Sequence, residues 1–163
     1  MSDTDDLLAN NARFVEDFPA GHRDVRPARH LAVVACMDSR LDVFGALGLD
    51  LGEAHVIRNA GGIVSDDVIR SLAISQRRLG TVEIILIQHT DCGMLQITDD
   101  GFRRELQAAT GVAPPFAIES FTDLDGNVRQ SLERLRNSPF LAHRDRIRGF
   151  VYEVDTGALR EII

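Results

Sequence analysis

Apolar residues occur along this 163-residue chain with two spacings, one typical of strands and one typical of helices. Three short apolar runs predict strands, at residues 30–36, 54–57 and 83–89. The first and third runs have continuously apolar centres, residues 31–36 and 84–87, as expected of central parallel strands that are buried on both faces. A period of three to four residues predicts five helices, at residues 3–18, 42–49, 64–79, 99–110 and 122–137. The last segments, at residues 147–154 and 159–163, predict a strand hairpin.

Residues at the predicted helix ends fit their positions. Ser65 and the pair Asp66-Asp67 lie at the N-terminal end of the helix at 64–79, where the positive end of the helix dipole favours carboxylates. Gly80 follows that helix at the usual C-terminal position. Thr4 is the candidate N-cap of the first helix.

Strands that alternate with helices predict an α/β fold with a mostly parallel central sheet, flanked by helices. The terminal hairpin predicts an antiparallel edge strand at the C-terminus. We expect one domain over residues 1–163, in which residues 1–27 form a helical arm and linker and residues 28–163 form the α/β core. The arm helix precedes the first core strand, so its apolar face is free to pack on something other than its own sheet.

The charge and composition exclude several classes of function. The net charge is −7, and the chain has no concentrated basic face of the kind that binds nucleic acid. No apolar run is long enough to cross a bilayer, so no membrane contact is expected. The N-terminus is acidic where a signal peptide is basic, which predicts a cytoplasmic protein. In that reducing compartment, the two cysteines are expected to be thiols for metal binding or catalysis.

Both cysteines and one histidine lie near the carboxyl ends of predicted strands. Cys36 ends the first strand, His89 ends the third, and Cys92 follows His89 by three residues. Ligand sites of open α/β sheets form outside such strand ends. Two thiolates and an imidazole are a zinc ligand set of catalytic type, because they leave a fourth position for water. We also expect a helix to begin near Cys92, where its dipole would favour a thiolate.

An acid and a base follow Cys36 at alternate positions. In an extended chain Cys36, Asp38 and Arg40 would point to the same side. Arg40 could hold Asp38 in a bidentate ion pair, which keeps the carboxylate ionised. Asp38 could then accept a hydrogen bond from metal-bound water or act as a fourth ligand.

Each fragment also has a purely structural interpretation. A single cysteine on an apolar strand is most often a small core residue, and a strand-end histidine is often only hydrogen-bonded. The Gly61-Gly62 pair is no phosphate loop, because it lacks the lysine and the spacing of one. It is interpreted as a tight turn whose backbone could line the site.

The fragments Cys36-x-Asp38-x-Arg40 and His89-x-x-Cys92-Gly93, with Arg58-Asn59-Ala60-Gly61 between them, resemble the β-class carbonic anhydrases. The resemblance extends from about residue 30 to the end of the chain. It implies reversible hydration of CO2 to bicarbonate and a proton, with Zn2+ as the cofactor. It also implies a sheet of four parallel strands plus an antiparallel edge, and assembly as a homodimer or a dimer of dimers with the N-terminal helix on the neighbouring subunit.

The same resemblance suggests a role for each site residue. Cys36, His89 and Cys92 correspond to the zinc ligands. Asp38 corresponds to the residue that orients zinc-bound hydroxide, and Arg40 to the partner that keeps Asp38 off the metal. In many members that aspartate binds zinc at lower pH, so Asp38 is also the expected fourth ligand of a closed state. The predicted substrate pocket consists of Gly61, Gly62, Gly93 and Met94.

The chain departs from the commoner family pattern near the substrate. Met94 replaces a second glycine, Met37 replaces a small polar residue, and Pro27 lies near the position of a substrate-binding glutamine. These differences leave two alternatives to CO2 hydration. One is hydrolysis of COS or CS2 on the same zinc scaffold, and the other is a zinc- or bicarbonate-binding protein of low turnover.

Overall fold

The computed structural model describes residues 2–19 and 21–163, so Met1 and Ala20, the latter within the predicted linker, lie outside the described residues. The described chain has five helices: α1 (Asp3–Glu16), α2 (Val43–Leu47), α3 (Asp66–Leu79), α4 (Asp99–Thr110) and α5 (Leu124–Asn137). It has five strands: β1 (Leu31–Cys36), β2 (Ala54–Asn59), β3 (Glu83–His89), β4 (Ile147–Tyr152) and β5 (Leu159–Ile162). Single 3-10 turns occur at Ala60–Gly62 and Gly93–Leu95.

The strands of the described chain form one sheet in the order β2-β1-β3-β4-β5. The first four of these run parallel, and β5 pairs antiparallel with β4. The predicted fold class is confirmed: four parallel strands and an antiparallel C-terminal edge strand, flanked by helices. The parallel neighbours β1 and β3 end at the same edge of the sheet.

Strand β1 lies at the centre of the core, and all six of its residues are buried. On one face Ala32 and Val34 pack with apolar residues of α3 and α5. On the other face Val33 and Ala35 pack in a second cluster that includes Met94. Because both faces are apolar, polar chemistry is left to the ends of the strands.

The predicted cap residues of α3 agree with the structure; α1 begins at Asp3 as predicted, but its predicted cap was wrong. Ser65 caps α3 through the N–H of Val68, and Gly80 ends it in a left-handed conformation, φ 78°. Ser2, and not Thr4, caps α1: its hydroxyl accepts from the Asp5 N–H, and the Asp5 carboxylate accepts from the Ser2 N–H at 2.8 Å. This reciprocal capping box satisfies two backbone donors, the N–H groups of Ser2 and Asp5, and Thr4 lies within the first turn of the helix.

Other boundaries differ by about two residues, the usual uncertainty at element ends. Strand β2 continues to residue 59 because Cys36 of β1 pairs with Asn59, which the local sequence around Arg58 did not indicate. The helices α1, α2, α3 and α5 are each shorter than predicted, and β4 ends at Tyr152 rather than at residue 154. No helix among the described residues combines the length and apolar character of a membrane span.

Candidate metal centre

The carboxyl ends of β1 and β3 bring three potential metal ligands together. The two strands are parallel neighbours with Ala35 paired to Ile87, so Cys36 and His89 leave the sheet at the same edge. The ligand atoms of Cys36, His89 and Cys92 all lie within 4.8 Å of one another. The structure therefore assembles the three residues that the sequence indicated. We call the segments 36–40, 58–62 and 89–95 the metal edge.

The two thiols of this cluster are buried and interact directly. Cys36 is 4% exposed, Cys92 is 2% exposed, and their sulfurs are 4.0 Å apart. The hydrogen bond from Cys92 lowers the pKa of the Cys36 thiol, against the opposing effect of burial. The same hydrogen bond, together with burial, raises the pKa of Cys92. Cys36 is therefore the thiol that ionises more readily, and a bound cation would favour both thiolates.

His89 is fully buried and presents one ring nitrogen to the cluster. Its Nδ1 lies 2.8 Å from the Thr90 carbonyl oxygen, so Nδ1 carries the proton and donates it there. Its Nε2 is buried and has no hydrogen-bond partner among the described residues. Burial acts to lower the pKa of His89, but the nearby Cys36 sulfur, the Thr90 carbonyl and the charges of the Cys36 thiolate and Asp38 outweigh it, so the pKa is raised.

The donor set fits a zinc ion. In a tetrahedral site with Zn–S bonds of about 2.3 Å, the two sulfurs are about 3.8 Å apart, close to the distance found here. The unpartnered Nε2 supplies a third donor, and its Nδ1 hydrogen bond holds the ring in the tautomer that a metal ligand needs. Two thiolates and an imidazole suit zinc better than hard cations such as magnesium.

Asp38 lies beside the cluster in a bidentate ion pair with Arg40. Arg40 donates from Nε to Oδ1 at 3.0 Å and from Nη2 to Oδ2 at 2.8 Å. This hydrogen bonding holds the pKa of Asp38 well below its usual range, so the carboxylate is ionised. The spacing predicted an extended chain through Arg40. The chain instead turns at residues 39–40. The Arg40 backbone N–H donates to Asp38 Oδ1 at 2.9 Å, and this local bond favours the turn.

Two further residues of the metal edge had no role assigned from the sequence. Asp91 accepts from Arg40 Nη1 through its carboxylate at 2.8 Å and from Nη2 through its carbonyl at 3.0 Å. Arg58 donates to the carbonyls of Cys36 at 2.8 Å and Asp38 at 2.7 Å. Both lie within the quoted motif fragments, but neither spacing nor composition indicates a partner that is distant in sequence.

The predicted pocket residues have different surroundings. Gly62 has φ 61°, and a Cβ there would lie 2.9 Å from the Cys36 nitrogen and the Ile87 oxygen, so it packs directly on the two strand ends. A Cβ on Gly61 would lie 3.0 Å from Met94 Cγ, which is itself buried. Gly93 is exposed and faces open space. The turn glycines therefore let the loop approach the strands closely; lining a substrate pocket remains a prediction for these residues.

The segment after Cys92 is a single 3-10 turn and not the start of a long helix. The dipole effect expected there is correspondingly absent from the site, since α4 begins only at Asp99. A backbone hydrogen bond from Met94 still acts to lower the pKa of Cys92. A single backbone N–H thus favours the Cys92 thiolate where a helix N-terminus was predicted to do so.

Comparison with known proteins agrees with this site. The sequence model of the family described as carbonic anhydrase matches residues 31–159. The chain is 56% identical over 162 residues to beta-carbonic anhydrase 1 of Mycobacterium tuberculosis, covering 99% of both chains. It is 38% identical over 152 residues to a carbon disulfide hydrolase of Acidithiobacillus thiooxidans, covering 81% of this chain and 76% of that protein.

Comparison with solved structures finds members of the same family. The crystal structure of the carbonic anhydrase from Streptococcus mutans superposes with a TM-score of 0.94 at 43% identity, covering 100% of this chain and 99% of that one. The carbonic anhydrase from Glaciozyma antarctica gives a TM-score of 0.87 at 40% identity, covering 96% and 95%. With the converging cysteines and histidine, these matches show that the chain belongs to the β-class carbonic anhydrase family.

Proposed function

We propose that Cys36, His89 and Cys92 hold a zinc ion on which this carbonic anhydrase hydrates CO2 reversibly to bicarbonate and a proton. The observation that carries the proposal is the convergence of three buried donor atoms within 4.8 Å at one edge of the sheet. Bound zinc would lower the pKa of water to about 7 and so supply the hydroxide that adds to CO2 near neutral pH.

Asp38 is proposed to orient the nucleophile. Its Oδ1 already accepts from Arg40 Nε and from the Arg40 backbone, whereas among the described residues Oδ2 accepts from Nη2 alone. Because a carboxylate oxygen has two lone pairs, Oδ2 can accept one more hydrogen bond. This oxygen also faces the ligand cluster, 3.6 Å from His89 Nε2. Asp38 can therefore fix the direction of a hydroxide whose proton points to Oδ2.

Arg40 is proposed to keep Asp38 out of the ligand set. The short distance from Oδ2 to His89 Nε2 means that a small rotation of Asp38 would bring its carboxylate to the fourth position. In the structure, the bidentate pair with Arg40 opposes that rotation. A closed state with Asp38 as a fourth ligand then requires Arg40 to release it.

Stopped-flow CO2 hydration by zinc-quantified protein tests the proposal. We expect one zinc per subunit and fast hydration. Cys36→Ser should lose zinc, whereas Asp38→Ala should keep zinc and lose activity about a hundredfold, the lower range for loss of a group that handles the reacting proton. Asp67→Asn, in an exposed ion pair on α3, is the control for a surface charge change.

Each other outcome points to a different conclusion. A protein without zinc would remove the proposal, and full activity in Asp38→Ala would remove the orienting role. Bound zinc with CS2 or COS hydrolysis but no CO2 hydration would favour the hydrolase alternative, which the carbon disulfide hydrolase relative makes worth assaying. Bound zinc with no turnover would indicate a binding protein.

We also propose a homodimer or a dimer of dimers, in which residues 28–163 form the core and residues 1–27 the arm. None of the 14 residues of α1 is buried. Leu7, Leu8 and Val15 are more than 60% exposed on this helix, an arrangement that apolar side chains rarely keep unless another surface covers them. A second copy of the chain is the proposed cover. Light scattering that gives the monomer mass at assay concentration would contradict this.

The proposed compartment is the cytoplasm. Both cysteines are free and buried in the ligand cluster, and zinc binding needs them reduced. A reducing compartment keeps them in that state. Cell fractionation with detection in the cytosolic fraction would test this.

A further inference from the structure

We infer that Asp91 is a positioning residue: it holds the Arg40 guanidinium so that Arg40 keeps Asp38 away from the metal ligands. The inference rests on the proposed function, because it concerns the choice of Asp38 between Arg40 and the metal. It assigns a role to a residue that neither the ligand set nor the Asp38–Arg40 pair includes.

The guanidinium of Arg40 is bound along two edges. Nε and Nη2 face the carboxylate of Asp38, at 3.0 and 2.8 Å. Nη1 faces the carboxylate of Asp91 at 2.8 Å, and the second Nη2 proton reaches the Asp91 carbonyl at 3.0 Å. A planar guanidinium has five N–H donors, so both acids can be served in one orientation. Asp91 does not compete with Asp38 but completes the arrangement.

Arg40 needs this second partner because little else restrains it. Its side chain is 45% exposed. A long, exposed arginine with only one ion pair loses much of the Coulomb gain to water and to side-chain entropy. The two contacts with Asp91 tie Arg40 to the loop between His89 and Cys92, and thus to the ligands themselves.

The backbone at Asp91 provides the geometry. Asp91 has φ 54°, in the left-handed region that only glycine, asparagine and aspartate enter readily. This conformation lets one residue present both its carbonyl and its carboxylate to the same guanidinium. A substitution test must keep this backbone preference, so asparagine and glycine are the suitable replacements and alanine is not.

Removal of Asp91 should release Asp38 toward the metal. Zinc with a fourth protein ligand dissociates more slowly and has no free position for reaction. We expect Asp91→Gly to lower kcat about three- to tenfold with little change in KM, as for loss of one charge-assisted contact. We expect zinc transfer to a chelator to become slower by a similar factor. Asp91→Asn, which keeps an acceptor oxygen, should show the same effects in weaker form.

The direction of the zinc-transfer effect separates positioning from simple support of the loop. If Asp91 only stabilised the loop, its removal would speed zinc loss, and that result would overturn the inference. The slow transfer should also disappear in the Asp38→Ala background, where no fourth ligand exists; its persistence there would contradict the inference. Asp67→Asn, which removes an exposed acid of α3 from its pair with Arg70, should change neither rate.

The experiment also separates this inference from the proposed function. Wild-type protein from the same preparation is assayed for zinc and for CO2 hydration. If it binds zinc and turns over CO2 while Asp91→Gly and Asp91→Asn behave like the wild type, only the role of Asp91 fails. If the wild type binds no zinc, the proposed function fails and this inference with it.

Discussion

The metal edge and helix α1 differ in where their contacts come from. At the metal edge, three segments distant in sequence interlock through buried thiols, a guanidinium and close-packed glycines. Helix α1 satisfies its own first turn with a capping box, yet it buries none of its residues. In the described part of the chain the three candidate ligands thus converge within one copy, whereas α1 is a formed helix with no buried residue. The proposed catalytic geometry and the proposed assembly therefore rest on separate parts of the molecule.

The largest effect is expected at Gly62. Gly62→Ala would place a Cβ 2.9 Å from the backbone of both Cys36 and Ile87, at φ 61°. Backbone atoms of central strands cannot move aside, so we expect a loss of about 3 kcal/mol in the free energy of unfolding, from overpacking and left-handed strain together. Urea unfolding followed by circular dichroism measures this.

Gly48 offers a matched control for this prediction. It has the same φ of 61°, but a Cβ there would meet nothing within 4 Å. Gly48→Ala should therefore lose only the conformational part, about 1 kcal/mol. Equal losses in the free energy of unfolding at the two glycines would mean that the metal edge is no more tightly packed than an exposed turn. The contrast between a closely packed metal edge and an exposed α1 would then be smaller than stated above.

A smaller effect is expected at Arg58. Arg58→Ala removes two hydrogen bonds to the carbonyls that flank Met37, so the loop that carries Asp38 should lose its fixed position. We expect kcat to fall about tenfold, since a misplacement of the orienting carboxylate is felt directly in the rate. Zinc content should stay at the wild-type level, because the proposed ligands Cys36 and His89 lie on β1 and β3, and Cys92 follows β3 directly.

Arg77 provides the comparison for Arg58. It also donates from an arginine side chain to a backbone carbonyl, that of Phe140, at 2.7 Å but far from the site. Arg77→Ala should leave kcat unchanged. A rate loss as large as that of Arg58→Ala would show that general stability, and not loop position, controls the rate.

The smallest effect on the folded chain is expected in the arm. Charged residues at Leu7 and Leu8, as Leu7→Glu with Leu8→Glu, should change the free energy of unfolding of the separated chain by less than about 0.5 kcal/mol, since both side chains are already exposed. Mass measured by light scattering should nevertheless fall to that of a smaller assembly. Asn10→Glu with Asn11→Glu makes the same charge change at two polar positions of α1 and should not alter the mass. Loss of folding in the double variant would place the arm within the core and break the comparison.

The sequence predicted most of what depends on local pattern. The parallel sheet, the order of elements and the meeting of Cys36 with His89 follow from apolar runs and from the rule that ligands gather at strand ends. The Asp38–Arg40 pair follows from residues two positions apart. These predictions need only local spacing and the general rule for strand ends, and no particular side-chain contact between distant segments.

Individual side-chain contacts between distant segments could not be predicted. Arg58 contacts carbonyl oxygens, and any residue has one, so its sequence neighbours give no indication of the target. The pairing of Arg40 with Asp91 spans 51 positions and depends on a left-handed residue that aspartate adopts only in some contexts. The expected helix after Cys92 was wrong because a three-residue turn suffices where the loop must return to the site. Long-range geometry decided each of these cases.

The hydrogen bonds by which Arg40 links Asp38 to Asp91 have a consequence for folding. Its partners lie on segments that meet only after β1 and β3 have paired, so the site closes late, after long-range loop closure has been completed. A partly folded chain carries Cys36 and His89 on separate ends and has no preformed place for the ion. Zinc should then bind the finished sheet far better than any precursor, and by mass action it selects that state. A bound ion would thereby indicate that the central pair of strands has reached its native register.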